Sequence, residues 1–300
     1  LIKNQENYFR KKSIVFVVIS LFKSSANYLL LLSQNVPVVV VVMAFFVTWI
    51  ISWLPVAAIL ATALKWQLNK PFQPEQKLPL VISLYFLAPL IIWGVLWFTN
   101  QHLINYGFVW NISILVSVVL GFALGVLGLS VVFVSQISLG WCSFQSSNTK
   151  QLRSVSLPIL LVALFVGGIE ELVFRGFLLT ELNHDYSVWV AAVASSIVFA
   201  VLHLIWEQKE TIPQLPGLWL MGMVLVFARF VDGGILGLAW GLHAGWVWAI
   251  ACLDTAQLIT YTGKVPEWVT GKNNKPLAGL AGIACLLLTA AILWLFHIYI

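Results

Sequence analysis

The chain has 300 residues, of which 61% are hydrophobic and 9% charged. A soluble globular chain carries roughly 45–50% and about 25%, so a water-soluble domain does not fit, and neither does a disordered segment. The 16 Lys and Arg against 11 Asp and Glu give a net charge of +5, which in a membrane protein marks cytoplasmic loops rather than nucleic-acid binding.

Apolar runs such as 36–64 and 109–139 do not alternate in polarity, which excludes a transmembrane β-barrel. The fold class is therefore all-α, a polytopic transmembrane helix bundle of eight or nine segments. In chain order they are expected near 14–32, 36–64, 78–99, 109–139, 157–180, 187–206, 217–231, 235–253 and 277–299. Lys23, Ser24, Ser25 and Asn27 interrupt the first, which lies in the interface if it does not span. Lys3, Arg10, Lys11 and Lys12 before it resemble a signal-peptide n-region, but no small-residue cleavage site follows. Because the chain opens on Leu1 rather than Met, its start is expected upstream. The seventh segment is short, as a tilted or partly re-entrant helix would be. Four stretches result: a basic N-terminus with the weak first segment (1–35), N-terminal helices (36–150), a polar-motif core (151–255), and a polar loop with the last helix (256–300).

If all nine segments cross, Lys and Arg fall on one side. The N-terminal cluster, Lys65, Lys70 and Lys77, Lys150 and Arg153, Lys209, and Lys264, Lys272 and Lys275 share it, while the opposite loops hold none. That asymmetry predicts a cytoplasmic N-terminus and cytoplasmic basic loops. Trp66, Trp110, Trp141, Trp189, Trp206 and Trp268 sit near segment ends, as interfacial anchors do. Trp49/Trp53 and Trp93/Trp97 are i,i+4 pairs and read as packing faces. Cys142, Cys252 and Cys285 lack CxxC or zinc-ligand spacing and read as free, apolar residues.

The informative residues are the ionisable ones inside membrane segments. Glu170, Glu171 and Arg175 follow a dozen nearly uncharged residues. Each costs roughly 2.5–3.5 kcal/mol at a helix centre, too much for accidental decoration. Glu171 and Arg175 are i,i+4 and can pair within the helix. Glu170 is about 100° round and is offered to another helix. Gly167 and Gly168 allow close approach. The next segment carries His203 one turn after Phe199, and the eighth carries His243 beside a ridge of Gly237, Gly241 and Gly245. A carboxylate, two imidazoles and a cation on three helices are the parts of a water-activating site.

Two chemistries fit. Glu170 and His203 hold and deprotonate water while His243 stabilises the oxyanion, or Glu170, His203 and His243 bind a divalent metal such as zinc. HExxH is absent, which excludes a zincin-type site. A purely structural ion-pair cluster is the bland alternative. Glu170 lies about 13 residues, roughly 20 Å, into its segment, a depth His243 can match from the other face. His203, near its segment's end, comes out one or two turns too low.

Glu170-Glu171-Leu-Val-Phe-Arg175, Phe199-Ala-Val-Leu-His203 and a later membrane His243 together resemble the CPBP family, also called Abi or CAAX-protease-like. Its pattern is EExxxR, FxxxH and HxxxN or HxxxD on separate transmembrane helices. The first two motifs are complete here, and the third has Val247 at its last polar position. The resemblance covers about 155–253 and implies an intramembrane endopeptidase, similar to the type II CAAX prenyl endopeptidases. Carried over, Glu170 and His203 activate water, His243 stabilises the oxyanion, and Glu171 with Arg175 organises the site. Family members have been described both as metalloproteases and as glutamate-dependent proteases. The implied partners are membrane lipid and a peptide or membrane-protein substrate. Val247 favours a competing reading, a non-catalytic scaffold or immunity-type member. Transport or proton relay has only the buried carboxylates behind it. Arg229 and Asp232, i,i+3 near a segment end, read as a pair or as snorkelling side chains, and His102, His184 and His297 as incidental.

Overall fold

A helix boundary in this chain follows its capping chemistry more closely than its hydropathy. In the computed structural model, which describes residues 36–67, 73–205 and 208–299, helix α1 spans Val38–Ala63. Helix α2 begins at Pro74, ahead of the apolar run expected from residue 78, and ends at Thr99. A capping box explains the early start: Gln73 N–H donates to the Gln76 side chain at 3.1 Å, and Pro74 sets the first helical turn. Asn111 caps α3, Ile112–Ser138, by accepting from Ile114 N–H. The segment expected near 14–32 and the N-terminal basic cluster lie outside the described residues, as do Lys70, Trp206 and Glu207.

The central helix does not stop at 180. Helix α4, Thr149–Glu171, passes through a π-helical turn, Leu172–Leu178, into α5, Leu179–Asp185. After a bend at Tyr186–Ser187 come α6, Val188–Leu202, then α7, Leu215–Val231, α8, Gly237–Thr255, and α9, Leu280–Tyr299. Among the described residues seven stretches are long and apolar enough to cross a membrane. Helix α8 falls outside that set, because His243 and several Trp and Gly dilute its hydropathy, yet it runs the full depth of the bundle. The chain is an all-α polytopic bundle with large apolar side chains turned outward, such as Met43, Ile50, Leu120 and Trp189.

The two ends of the bundle are assembled from alternate connections. At one end Val38 N–H donates to Asp185, Tyr106 to Glu181, and Leu236 N–H to Gly107 O. Burial and the Glu181 charge push the Tyr106 phenol well above its usual range. At the other end β1, Cys142–Phe144, pairs antiparallel with β2, Ile259–Tyr261, and Lys275 lies 3.5 Å from both Glu210 and Asp254. The loops read as alternating are thus brought together as two sets, and α8 connects them.

Helices α3 and α8 pack backbone on backbone. A β-carbon at Gly245 would sit 2.6 Å from Phe122 O, and one at Gly125 would sit 2.8 Å from Leu242 O. One at Gly241 would run into Val118 O. No side chain fits between two helices this close. Gly241→Val should therefore lower the thermal midpoint in detergent, an overpacking cost of about 1–3 kcal/mol. Gly94→Val should not, since a β-carbon there meets nothing within 4 Å.

Tryptophan roles divide. Trp49 is buried, and its indole donates to Leu84 O at 2.8 Å, while Trp53 donates to Ser83 Oγ at 3.0 Å. This pair is a packing face. Trp93 and Trp97 are not, being 63% and 68% exposed on the outer surface of α2. Trp110, Trp189 and Trp268 are exposed near helix ends. The three cysteines are free and buried.

Candidate active site

Arg175 is fully buried and organises the centre of the bundle. Its Nη1 donates to Glu171 Oε1 at 3.0 Å and its Nη2 to Gly222 O at 3.3 Å, with Cζ 4.2 Å from the Phe199 ring centroid. The i,i+4 pairing expected within the helix is present, and a cation–π contact supports it.

The π-helical turn places a second guanidinium behind the first. Leu179 N–H donates to Phe174 O, five residues back, which leaves Arg175 O without its usual donor four residues on. Arg229 Nη1 donates to Arg175 O, while Nε donates to Gly234 O at 3.0 Å. Arg229 therefore neither pairs with Asp232 nor snorkels. Asp232 instead accepts from Ser117 Oγ at 2.7 Å and Leu238 N–H at 2.9 Å. Burial pushes the Asp232 carboxyl up against the opposing pull of those two hydrogen bonds.

His243 joins the two carboxylates. Its Nδ1 is 2.7 Å from Glu171 Oε1 and its Nε2 is 3.5 Å from Glu170 Oε2. With Nδ1–H donated to Glu171, the Nε2–H of a doubly protonated ring would face Glu170 Oε2. Glycine makes the approach of α4 to α8 possible. A β-carbon at Gly168 would lie 2.8 Å from the Trp240 ring, whereas one at Gly167 would make only ordinary contact, 3.4 Å from Ala244 N. Trp240 in turn donates to Leu164 O at 2.8 Å.

Glu170 faces away from Arg175, as its position on the helix requires. Its Oε1 accepts from the Tyr85 hydroxyl on α2. Its Oε2 is buried and has no hydrogen-bond partner among the described residues. His203 opens the 3₁₀ turn that ends α6, and its Nδ1 is 2.7 Å from Phe199 O. A carbonyl can only accept, so that nitrogen carries the proton and Nε2 keeps its lone pair.

The depth mismatch expected for His203 does not arise. Because the long helix runs on to Asp185, Glu170 and His203 stand equally far, about 16 residues or 24 Å, on either side of the Tyr186–Ser187 bend. They line one cavity of about 100 Å³ with Trp49, Tyr85 and Phe174. His203 also lines a larger cavity of about 310 Å³ with His243, Trp246 and Val247. His203 thus lines both cavities, with Glu170 on the smaller and His243 on the larger. Glu171 and Arg175 lie behind them.

Of the residues expected as metal ligands, one pair stands close together. Glu170 Oε2 and His243 Nε2 are at a spacing two ligands of one ion can have. His203 does not complete a triad with them, and no group of three or more His, Cys, Asp or Glu among the described residues is placed to hold a metal. Tyr85 was absent from the expected site. A lone tyrosine in an apolar run carries no spacing signal, and its partner is far away in the chain.

No curated protein and no solved structure matches the chain. Residues 152–249, from the start of α4 to the middle of α8 and so including all five expected site residues, match the family model described as type II CAAX prenyl endopeptidase Rce1-like.

Proposed function

We propose that the protein is an intramembrane endopeptidase in which Glu170 and His203 activate the attacking water. The observation that carries this is the shared cavity, which Glu170 and His203 line together, Glu170 keeping one oxygen without a hydrogen bond among the described residues. Water there donates one proton to the Glu170 carboxylate or His203 Nε2 and attacks the scissile carbonyl. The developing oxyanion takes a hydrogen bond from Nε2–H of His243 in its doubly protonated form, whose Nδ1–H Glu171 holds in place with Arg175 behind it. Collapse breaks the C–N bond, and the stored proton passes to the leaving amine.

The CAAX name of the matched family supports a peptide substrate. The basic loops Lys150, Arg153, Lys264, Lys272 and Lys275 support a cytoplasmic placement of that end of the bundle. The test is cleavage of prenylated and unprenylated CAAX-type peptides by the full chain in proteoliposomes. His203→Ala should lower turnover about 10²-fold or more with membrane insertion intact. Wild-type turnover in that variant would sink the assignment.

One observation favours a second reading. Val247 lines the larger cavity beside His243 and offers no donor to an oxyanion. A non-catalytic member would use the same charge cluster to lock its helices. The readings separate on Val247→Asn. If the chain is a protease working without this donor, the variant should cleave about 10²-fold faster. A non-catalytic chain shows no cleavage in either form.

A further inference from the structure

The end of the bundle that carries the basic loops holds a third cavity, of about 520 Å³. Strand β2 forms one wall of it, with Ile259, Thr260 and Tyr261 all lining the space. Antiparallel pairing uses only alternate main-chain groups of a strand. Gln145 N–H donates to Leu258 O at 2.8 Å and Thr262 N–H to Trp141 O at 3.0 Å, with Ser143 opposite Thr260. The backbone of residues 258, 260 and 262 thus faces β1, and the N–H and C=O groups of Ile259 and Tyr261 face the other way. The sheet has two strands. Among the described residues, nothing pairs with that second edge.

A strand edge with unmatched donors and acceptors is a template for an extended peptide. This edge is also held still. Asn148 donates to Gln257 O at 3.1 Å, Gln151 to Thr255 O at 3.0 Å, and Gln145 to Thr260 Oγ1 at 3.2 Å. A fixed template lowers the ordering cost of binding. The cavity continues inward, sharing Ile250, Asp254 and Pro276 with the 310 Å³ cavity that reaches His203 and His243. The outer space is rimmed by Glu210, Asp254, Asn273, Asn274 and Lys275, which suits a polar main chain. The inner one is lined by Leu129, Leu218, Met221 and Trp246, which suits apolar side chains.

We infer that the free edge of β2 docks an extended peptide as a third strand, its main chain paired to Ile259 and Tyr261. The continuation of that peptide lies in the inner cavity beside the two histidines. That the peptide is a substrate rests on the endopeptidase reading; that it binds does not.

The test measures binding to the full-length Glu170→Gln variant in lipid nanodiscs, so that turnover does not intrude. The probes are a fluorescent farnesylated CAAX peptide and its unprenylated counterpart, each with single N-methyl groups moved along the main chain. Strand addition predicts about tenfold weaker binding at every second residue and little change between. Tyr261→Pro should cost about tenfold too, since its N–H faces away from β1 and proline is tolerated on that side. Tyr261→Ala, which keeps the N–H, separates main-chain loss from side-chain loss, and Ile259→Pro repeats the test should Tyr261→Pro fold poorly. A flat methylation profile overturns the inference, and so does the absence of binding by either peptide. Period-two binding with no cleavage by the wild type leaves the docking edge standing and removes the endopeptidase reading. Cleavage with a flat profile does the reverse.

Discussion

Glu170→Ala should abolish cleavage, a loss of about 10²–10⁴-fold, and Glu170→Gln should do the same without disturbing the fold. The amide is the informative change. Its oxygen can still accept from His243 Nε2–H, and its nitrogen can donate to the Tyr85 hydroxyl oxygen, so both neighbours of the carboxylate keep a partner. It cannot take a proton from water. The Glu171–Arg175 pair, on another side of the helix, is untouched. Comparing turnover with the thermal midpoint of the same preparation separates chemistry from packing. Full turnover in Glu170→Gln would remove Glu170 as the base.

Arg175→Leu should have the opposite signature, a loss of fold. Breaking a buried ion pair by removing one partner costs about 3–5 kcal/mol, because the remaining charge stays buried. Here the remaining charge is Glu171, fully buried, with Oε2 lacking a hydrogen bond and Oε1 left to His243 alone. The Gly222 carbonyl and the Phe199 ring also lose the guanidinium. Arg175→Lys keeps the charge but not the planar fork, and should fall between. Replacing both partners, Glu171→Leu with Arg175→Leu, should recover part of the loss. Thermal unfolding in detergent ranks the four proteins. An Arg175→Leu protein as stable as the wild type would show that the pair contributes little.

Much of this site was legible because helix geometry relates near neighbours. Spacing alone pairs Glu171 with Arg175, turns Glu170 toward another helix, and sets His243 beside a glycine ridge that packs on α3. What escaped depends on distant parts of the chain or on backbone irregularity. Tyr85 meets Glu170 from 85 residues away in the sequence, with the whole of α3 between their helices. Leu179–Asp185 stays helical although Glu181, Asn183, His184 and Asp185 end the apolar run, and hydropathy therefore placed His203 at the wrong depth. The π-helical turn has no compositional mark, and without it Arg229 looks like a partner for Asp232. Strands of three residues in polar loops carry no period to read.

The contact between Tyr85 and Glu170 also bears on modularity. The stretch that matches the endopeptidase family begins at residue 152, yet one oxygen of its first glutamate is satisfied from α2. That donor is held in register by Trp49 and Trp53 of α1, clasped to Leu84 and Ser83. A chimera that grafts residues 152–249 onto a foreign pair of leading helices would inherit all five motif residues and lose this clasp. To transplant the carboxylate in working order, the exchange must carry α1 and α2 with it as one cassette.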